Sequence, residues 1–115
     1  MIIDIVTPTF NRDTFIGKTL KSVIEQKPQS IIHYYIMDGG STDNTINIVN
    51  QHIAESNKQN IEITLTVDQD EGMYDAIYKG FVKGNGDIMA WINSDDIYLP
   101  STLQTVETIF EQHKD

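Results

Sequence analysis

The side chains best suited to chemistry are acids and hydroxyls gathered at four places along the chain. Asn93-Ser94-Asp95-Asp96 sets two adjacent carboxylates at the end of an apolar run, Ile88 to Ile92. Neighbouring carboxylates repel each other, and a hard divalent cation such as Mg2+ or Mn2+ relieves that repulsion through oxygen ligands. The same four residues also suit a solvated turn that caps a helix, so spacing alone leaves both readings open. Asp38-Gly39-Gly40-Ser41-Thr42-Asp43 is a glycine turn leading into a helix. It matches neither the dinucleotide fingerprint nor the phosphate loop with its lysine. Ser41, Thr42 or Asp43 can serve as the helix cap. That role does not cover Asp38, which precedes the turn and could accept a hydrogen bond from a base N–H or a ribose hydroxyl. Asp68, Asp70 and Glu71 come before Gly72-Met73-Tyr74-Asp75. Asp75 there could simply complement a helix dipole, and Lys79 and Lys83 could reach a phosphate or stay solvated. Thr7, Pro8, Thr9 and Asn11 follow the first apolar run.

Four strands and four helices must position these groups. Ile2 to Thr7 is a β-rich run that stops at Pro8. Ile31 to Met37 and Ile88 to Ile92 are further buried runs, and Ile61, Ile63, Leu65 and Val67 alternate in the manner of a strand with one less-buried face at a sheet edge. Between them, Ile16, Leu20, Val23 and Ile24 mark one helical face. Ile46, Val49 and Ile53, then Met73, Ala76, Ile77 and Gly80, then Leu103, Val106 and Phe110 mark three more. Asn11 and Asp13 are expected to cap the first helix, and Pro100 and Ser101 to start the fourth. The order β-α-β-α-β-α-β-α implies a mainly parallel sheet with helices on both faces, a three-layer α/β sandwich in a single domain over 1–115. Ligands of such sheets bind at the carboxyl ends of the strands, and each of the four polar groups follows a strand. Tyr34, Tyr35 and Trp91 fall within strands and are expected in the core.

Composition removes several functions. Lys plus Arg is 8 against 17 Asp plus Glu, a net charge of −9. A nucleic-acid binder needs a basic footprint instead. Without cysteine there is no disulfide, thiolate zinc site or thiol nucleophile. His33, His52 and His113 lack metal-ligand spacing, and no Ser-His-Asp arrangement or nucleophile elbow is visible. No run approaches the ~20 apolar residues of a membrane span. Met1-Ile2-Ile3-Asp4 lacks a basic region, so no secretory signal is expected.

Taken in order, the motifs resemble the family 2 glycosyltransferases, which have the GT-A fold. Ile5-Val6-Thr7-Pro8-Thr9-Phe10-Asn11-Arg12 is similar to the family's first strand with its P-T-[FY]-N signature. Ser22-Val23-Ile24-Glu25-Gln26 is similar to its S-[VIL]-x-x-Q helix, and Asp38 to Thr45 to its D-[DG]-[GN]-S-x-D-x-T turn. Glu71 to Ala76 with Lys79-Gly80 resembles the G-[IM]-Y-D-A-x-x-K-G form of capsule and exopolysaccharide transferases. Gly86-Asp87 followed by Asn93 to Asp96 resembles the family's G-[DE]-x5-L-[ND]-[SA]-D-D strand. The matches cover nearly the whole chain.

The resemblance implies transfer of a sugar from a nucleotide sugar, usually a UDP-sugar, with inversion at the anomeric carbon. The acceptor would be a glycan or lipid-linked intermediate of surface polysaccharide or glycoconjugate synthesis, handled in the cytoplasm. It implies that Asp38 binds the base and that Thr7, Pro8, Thr9 and Asn11 lie beside the nucleoside. Asp95 then faces the ribose, and Asp96 holds Mg2+ or Mn2+ on the diphosphate. Ser41, Asp70, Gly72, Asp75 and Lys79 are further candidates on the same rim. Gly39 stands where many members have a second Asp, and Ile77-Tyr78 where many have Arg-Asn. No residue matches the family's catalytic base, so 1–115 is expected to be the donor-binding half, with the base outside it. Two rivals remain at this stage. One is a non-catalytic nucleotide-sugar binding module. The other is a metal-dependent phosphotransfer domain, which needs an aspartate where Thr7-Pro8-Thr9 stands.

Overall fold

A computed structural model describes residues 1–56 and 60–113. The elements alternate as the apolar periods require: β1 (Ile2–Thr9), α1 (Ile16–Ile24), β2 (Ile31–Asp38), α2 (Thr45–Glu55), β3 (Ile61–Val67), α3 (Met73–Lys83), β4 (Ile88–Trp91) and α4 (Thr102–Gln112). All strand pairings are parallel, in the order β3-β2-β1-β4. β1 pairs with β2 from Ile2–Ile31 to Thr9–Asp38, so the two strands end level. β4 pairs with Ile3 to Val6 on the other side of β1. The chain thus steps outward from β1 to β3 and then crosses back, reversing direction between β1 and β4. A crevice opens at such a reversal, outside the strand ends.

Strand alternation sorts the side chains onto two faces. Ile3, Ile5, Ile32, Tyr34 and Ile36 pack against Leu20 of α1, Val49 of α2 and Leu103 of α4. On the opposite face, Val6 and Met37 pack against Ala76 of α3. With helices on both faces, β1 is buried along nearly its whole length. β3 is the edge strand that its alternation suggests, with Glu62 and Thr64 exposed. The turn into β4 is tied to β1, with Gly86 N donating to the buried Asp4 Oδ2 at 2.6 Å and Ile2 N to Asp87 Oδ2 at 2.8 Å.

The aromatic expectations divide. Tyr34 is fully buried, and its hydroxyl pairs with Thr7 Oγ1 at 2.7 Å. Tyr35 is half-buried. Trp91 is not core but 52% exposed, and Met89 is 49% exposed. The reason is tertiary: α3 lies over β1 and β2, leaving that face of β4 uncovered.

α3 lies close on β1 because residue 80 has no side chain. A Cβ there would sit 2.5 Å from Val6 Cγ1. Gly80→Ala should therefore force α3 off the sheet, although alanine favours a helix over glycine by about 1 kcal/mol. We expect a net loss of roughly 1–3 kcal/mol, the usual cost of overpacking. It should appear as a lower thermal midpoint, partly recovered by adding Val6→Ala. An unchanged midpoint in Gly80→Ala would show that the contact is not tight.

Candidate functional site

The segments leaving β1 and β2 hold each other. Asn11 Oδ1 accepts from Thr42 N at 2.8 Å, and Asn11 N donates to Ser41 Oγ at 2.8 Å. Arg12 N donates to Thr45 Oγ1 at 2.9 Å, and Asp13 N to Asp43 Oδ2 at 3.2 Å. Asn44 N in turn donates to Asp13 Oδ2 at 3.4 Å. Asn11 and Asp13 therefore do not cap α1, whose start after Phe15 carries no side-chain cap. They instead serve the orphan donors that precede α2. Asn11 reaches across from a left-handed backbone, φ 51°.

Asp38 is 2% exposed. Its Oδ2 accepts from Gly40 N at 2.9 Å and Ser41 N at 2.7 Å, and its Oδ1 accepts from Ser41 Oγ at 2.6 Å. The carboxylate thus builds the glycine turn. Asp43 accepts from Thr45 N and Thr45 Oγ1. Desolvation works to raise its pKa, but hydrogen bonds from Thr45, from Asp13 N and from its own N–H outweigh it and hold Asp43 below the ordinary aspartate value.

The segment after β3 is anchored to this turn by Asp68 N, which donates to Asp38 O at 2.9 Å. Asp70 Oδ1 accepts from Gly72 N at 3.0 Å. Its Oδ2 lies 3.0 Å from the place a Cβ on Gly39 would take, so Asp70 occupies space that a side chain at position 39 would contest. Gly72 precedes α3 at φ 115°, a conformation that glycine alone adopts readily. Asp75 Oδ2 accepts from Glu71 N and pairs with Lys79 Nζ, both at 2.9 Å. The Glu71 N–H and then Lys79 hold the Asp75 carboxyl below its ordinary value, and the Asp75 hydrogen bond raises Lys79. Asp75 and Lys79 thus brace the start of α3.

The crevice between the ends of β1 and β4 is a cavity of about 370 Å³ bordered by Pro8, Thr9, Asp70, Gly72, Asn93 and Asp95. Thr9 is only 5% exposed. Its Oγ1 and the Oδ1 of Asn93 are buried and have no hydrogen-bond partner among the described residues. Such orphans are rare, because each costs about 1–3 kcal/mol. On the far side of Asp70 lies a groove of about 360 Å³ bordered by Asp38, Asp68, Tyr78 and Lys79. Beyond Asp95 a third cavity, about 500 Å³, is bordered by Trp91, Asn93, Asp95, Asp96 and Tyr98. A larger one, about 850 Å³, lies at the other end of the sheet between Ser30, Gln104 and Glu107. It holds none of the strand-end residues.

The fold therefore brings Pro8, Thr9, Asp70, Gly72 and Asp95 to one cavity and sets Asp38 and Lys79 in the adjoining groove. Asp96 borders only the third cavity. Thr7 is fully buried against Tyr34, and Asn11 and Ser41 act in the loop brace. Arg12 borders the central cavity although its type and spacing give no sign of a site, and Asn93, the first residue of the acidic motif, borders it too. For Asn93 a signal existed, since it shares strand parity with Trp91 and opens the acidic motif. Asp95 and Asp96 are exposed, and neither carboxylate has a hydrogen bond or ion pair among the described residues. Among those residues no three acidic or histidine side chains group as a self-sufficient metal site.

The chain belongs to glycosyl transferase family 2, whose model matches residues 4–115. It is 28% identical over 111 residues to an uncharacterized glycosyltransferase of Nostoc sp., covering 96% of this chain and 33% of the relative. The fold is of the GT-A type. S. aureus TarS in complex with UDP-GlcNAc superposes with a TM-score of 0.83 at 24% identity, over 98% of this chain and 32% of TarS. The mannosyltransferase PcManGT of Pyrobaculum calidifontis, in complex with GDP-Man and Mn2+, gives 0.82 at 22% identity, over 94% and 32%. The chain thus spans about a third of the length of each of these proteins. No described helix is long and apolar enough to cross a membrane.

Asp43 and Asp75 both titrate lower in the folded chain than in the unfolded one. A depressed folded value gives stability that is present above the unfolded aspartate range, near pH 4, and is lost as pH falls through the folded value. The thermal midpoint should accordingly fall as pH drops below about 4. Asp43→Asn and Asp75→Asn should each flatten that fall. A midpoint unchanged down to pH 2 would contradict the assignment.

Proposed function

We propose that residues 1–115 form the donor-binding domain of an inverting glycosyltransferase that uses a nucleotide sugar, with UDP as its nucleotide. The observation that carries this is that Thr9 and Asn93 both border the cavity at the strand reversal and that Thr9 Oγ1 and Asn93 Oδ1 are buried there without a partner among the described residues. A hydroxyl and an amide carbonyl together suit hydroxyl groups of a ribose, which donate as well as accept. Family membership and the nucleotide sugars held by the two structural neighbours support the reading.

In this reading the ribose lies in the crevice between the ends of β1 and β4, and the base extends from it toward the end of β2. Pro8 and Thr9 flank it, and Asp70 and Gly72 close it from the α3 side. Asp38 positions the turn beside the base, because Oδ2 is taken by Gly40 N and Ser41 N and Oδ1 by the Ser41 hydroxyl. Asp95 and Asp96 offer hard oxygen donors without competing partners. They fit a Mg2+ or Mn2+ ion that takes one or two protein carboxylates and fills its other positions with water and phosphate. When bound, that ion neutralises charge on the departing diphosphate. Inversion also needs a base on the acceptor hydroxyl. Asp75 and Asp70 are already committed to Glu71 N, Lys79 and Gly72 N, which argues against either in that role. The acceptor proposed is a glycan or lipid-linked intermediate, and the setting is the cytoplasm.

Calorimetry tests the donor side. UDP should bind more tightly than GDP and should need Mg2+ or Mn2+. Thr9→Val should weaken uridine and UDP alike by about tenfold, the usual scale for leaving a buried polar partner unpaired. Asp96→Asn should weaken UDP in Mg2+ while leaving uridine unchanged. Equal binding in excess chelator would remove the metal from the account. A preference for GDP would overturn the base assignment.

A further inference from the structure

β3 is an open edge of the sheet, and its backbone groups can be assigned residue by residue. In a parallel ladder, alternate residues turn both N–H and C=O toward the same neighbour. Asn60 O accepts from Ile32 N, and Asp68 N donates to Asp38 O. Even-numbered residues from 60 to 68 therefore face β2, and Ile61, Ile63, Leu65 and Val67 turn their backbone groups outward. No described residue meets those outward groups. Edge strands of monomers are usually short, or guarded by lysine, proline or a bulge. β3 runs for 7 residues in unbroken register and has none of these guards. The helix packed beside it, α2, is equally bare. α2 (11 residues) and β3 contain one Asp, Glu, Lys or Arg each, Glu55 and Glu62, against 22% for the whole chain.

We propose that β3 is a self-association edge, where a second copy of the chain pairs antiparallel about a twofold axis at Thr64. This register sets Ile61 opposite Val67 and Ile63 opposite Leu65. All four outward residues of each copy then exchange hydrogen bonds with their opposites, about eight bonds in all. A slip of two residues either way leaves one outward residue of each copy unmatched. The same register sets Glu62 opposite Thr66 instead of opposite itself, so no like charges face each other. Thr66 borders the groove that also holds Lys79 and Lys83, so each Glu62 arrives on a lysine-bearing side of the other copy. The twofold keeps both α2 helices on one face of the joined sheet, flanking the seam. Depletion of charge there is what the centre of an interface shows. Val67, 49% exposed in the single chain, gains a neighbour. The other open edge, β4, has only 4 residues and cannot offer a comparable ladder. The inference stands apart from the nucleotide reading, because the crevice between β1 and β4 lies on the far side of β1 from β3.

Sedimentation equilibrium of the chain from about 1 μM to about 1 mM, with amide hydrogen exchange at both ends of that range, tests the pairing. The mass should double across the range. The amides of Ile61, Ile63, Leu65 and Val67 should gain about tenfold protection in the dimer, while those of Glu62, Thr64 and Thr66, already bonded to β2, stay protected throughout. Thr64 is exposed, so the folded chain accepts a charge there. Thr64→Lys and Thr64→Glu should each weaken dimerisation about fivefold, since like charges then face each other across the axis. An equimolar mixture of the two variants should dimerise at least as well as the unsubstituted chain. A chain that stays monomeric to about 1 mM leaves the edge to another segment or partner and overturns the proposal. So does a dimer that ignores both Thr64 variants, one whose newly protected amides lie off β3, or a mixture of variants that fails to restore association.

Discussion

Parallel pairing along β1 decides where every functional group of this chain can stand. β1 holds β2 on one side and β4 on the other, and all three run the same way. Their carboxyl ends therefore share one edge of the sheet, and the residues that follow each strand must start from that edge. The return of the chain across β1 leaves β1 and β4 adjacent in space although their sequences lie far apart. Thr9 and Asn93 meet at one cavity for that reason alone. A one-residue slip of a strand buried on both faces would exchange its two apolar faces, which makes this register hard to shift.

Three loops leaving one edge expose many backbone donors, and the acidic side chains of this chain answer that need first. Asp38, Asp43, Asp70 and Asp75 each accept from backbone N–H groups close by in sequence. Asn11 and Asp13 do the same across some thirty residues, joining the first loop to the second. What remains unspent is informative. Asp95 and Asp96 keep their carboxylates open, and Thr9 and Asn93 keep buried atoms without partners. Rigid, self-satisfied loops thus frame a small set of unsatisfied groups, which is how preorganised binding sites are built.

Much of this is legible in the residues alone. The order of strands and helices followed from the change of apolar period, and the edge position of β3 from its strict alternation. The gathering of polar residues at strand ends followed from the rule for parallel sheets. Where the structure departs from the local reading of Asn11, Asp13 and Trp91, the cause is shared: the deciding partners are distant in sequence. Asn11 and Asp13 look like local caps, but their partners lie at positions 42 to 44. Trp91 looks like core because its strand is apolar, yet its burial depends on where α3 lies across the sheet. Thr7 shares its motif with Thr9 but lies two residues deeper, under Tyr34. Asp38 differs, since its partners Gly40 N and Ser41 N lie only two and three residues on. The turn it builds became visible only once the positions of Gly40 N and Ser41 N were known.

The central claim is that the crevice between β1 and β4 is the nucleotide site. Amide chemical shifts of the labelled chain, titrated with UDP and Mg2+, test it most directly. The account predicts that the shifts that move belong to Thr9, Phe10, Asp70, Gly72 and Asn93 to Asp95, while those around Ser30, Gln104 and Glu107 stay still. Movement centred on that second group, with the strand-end amides unchanged, would contradict it.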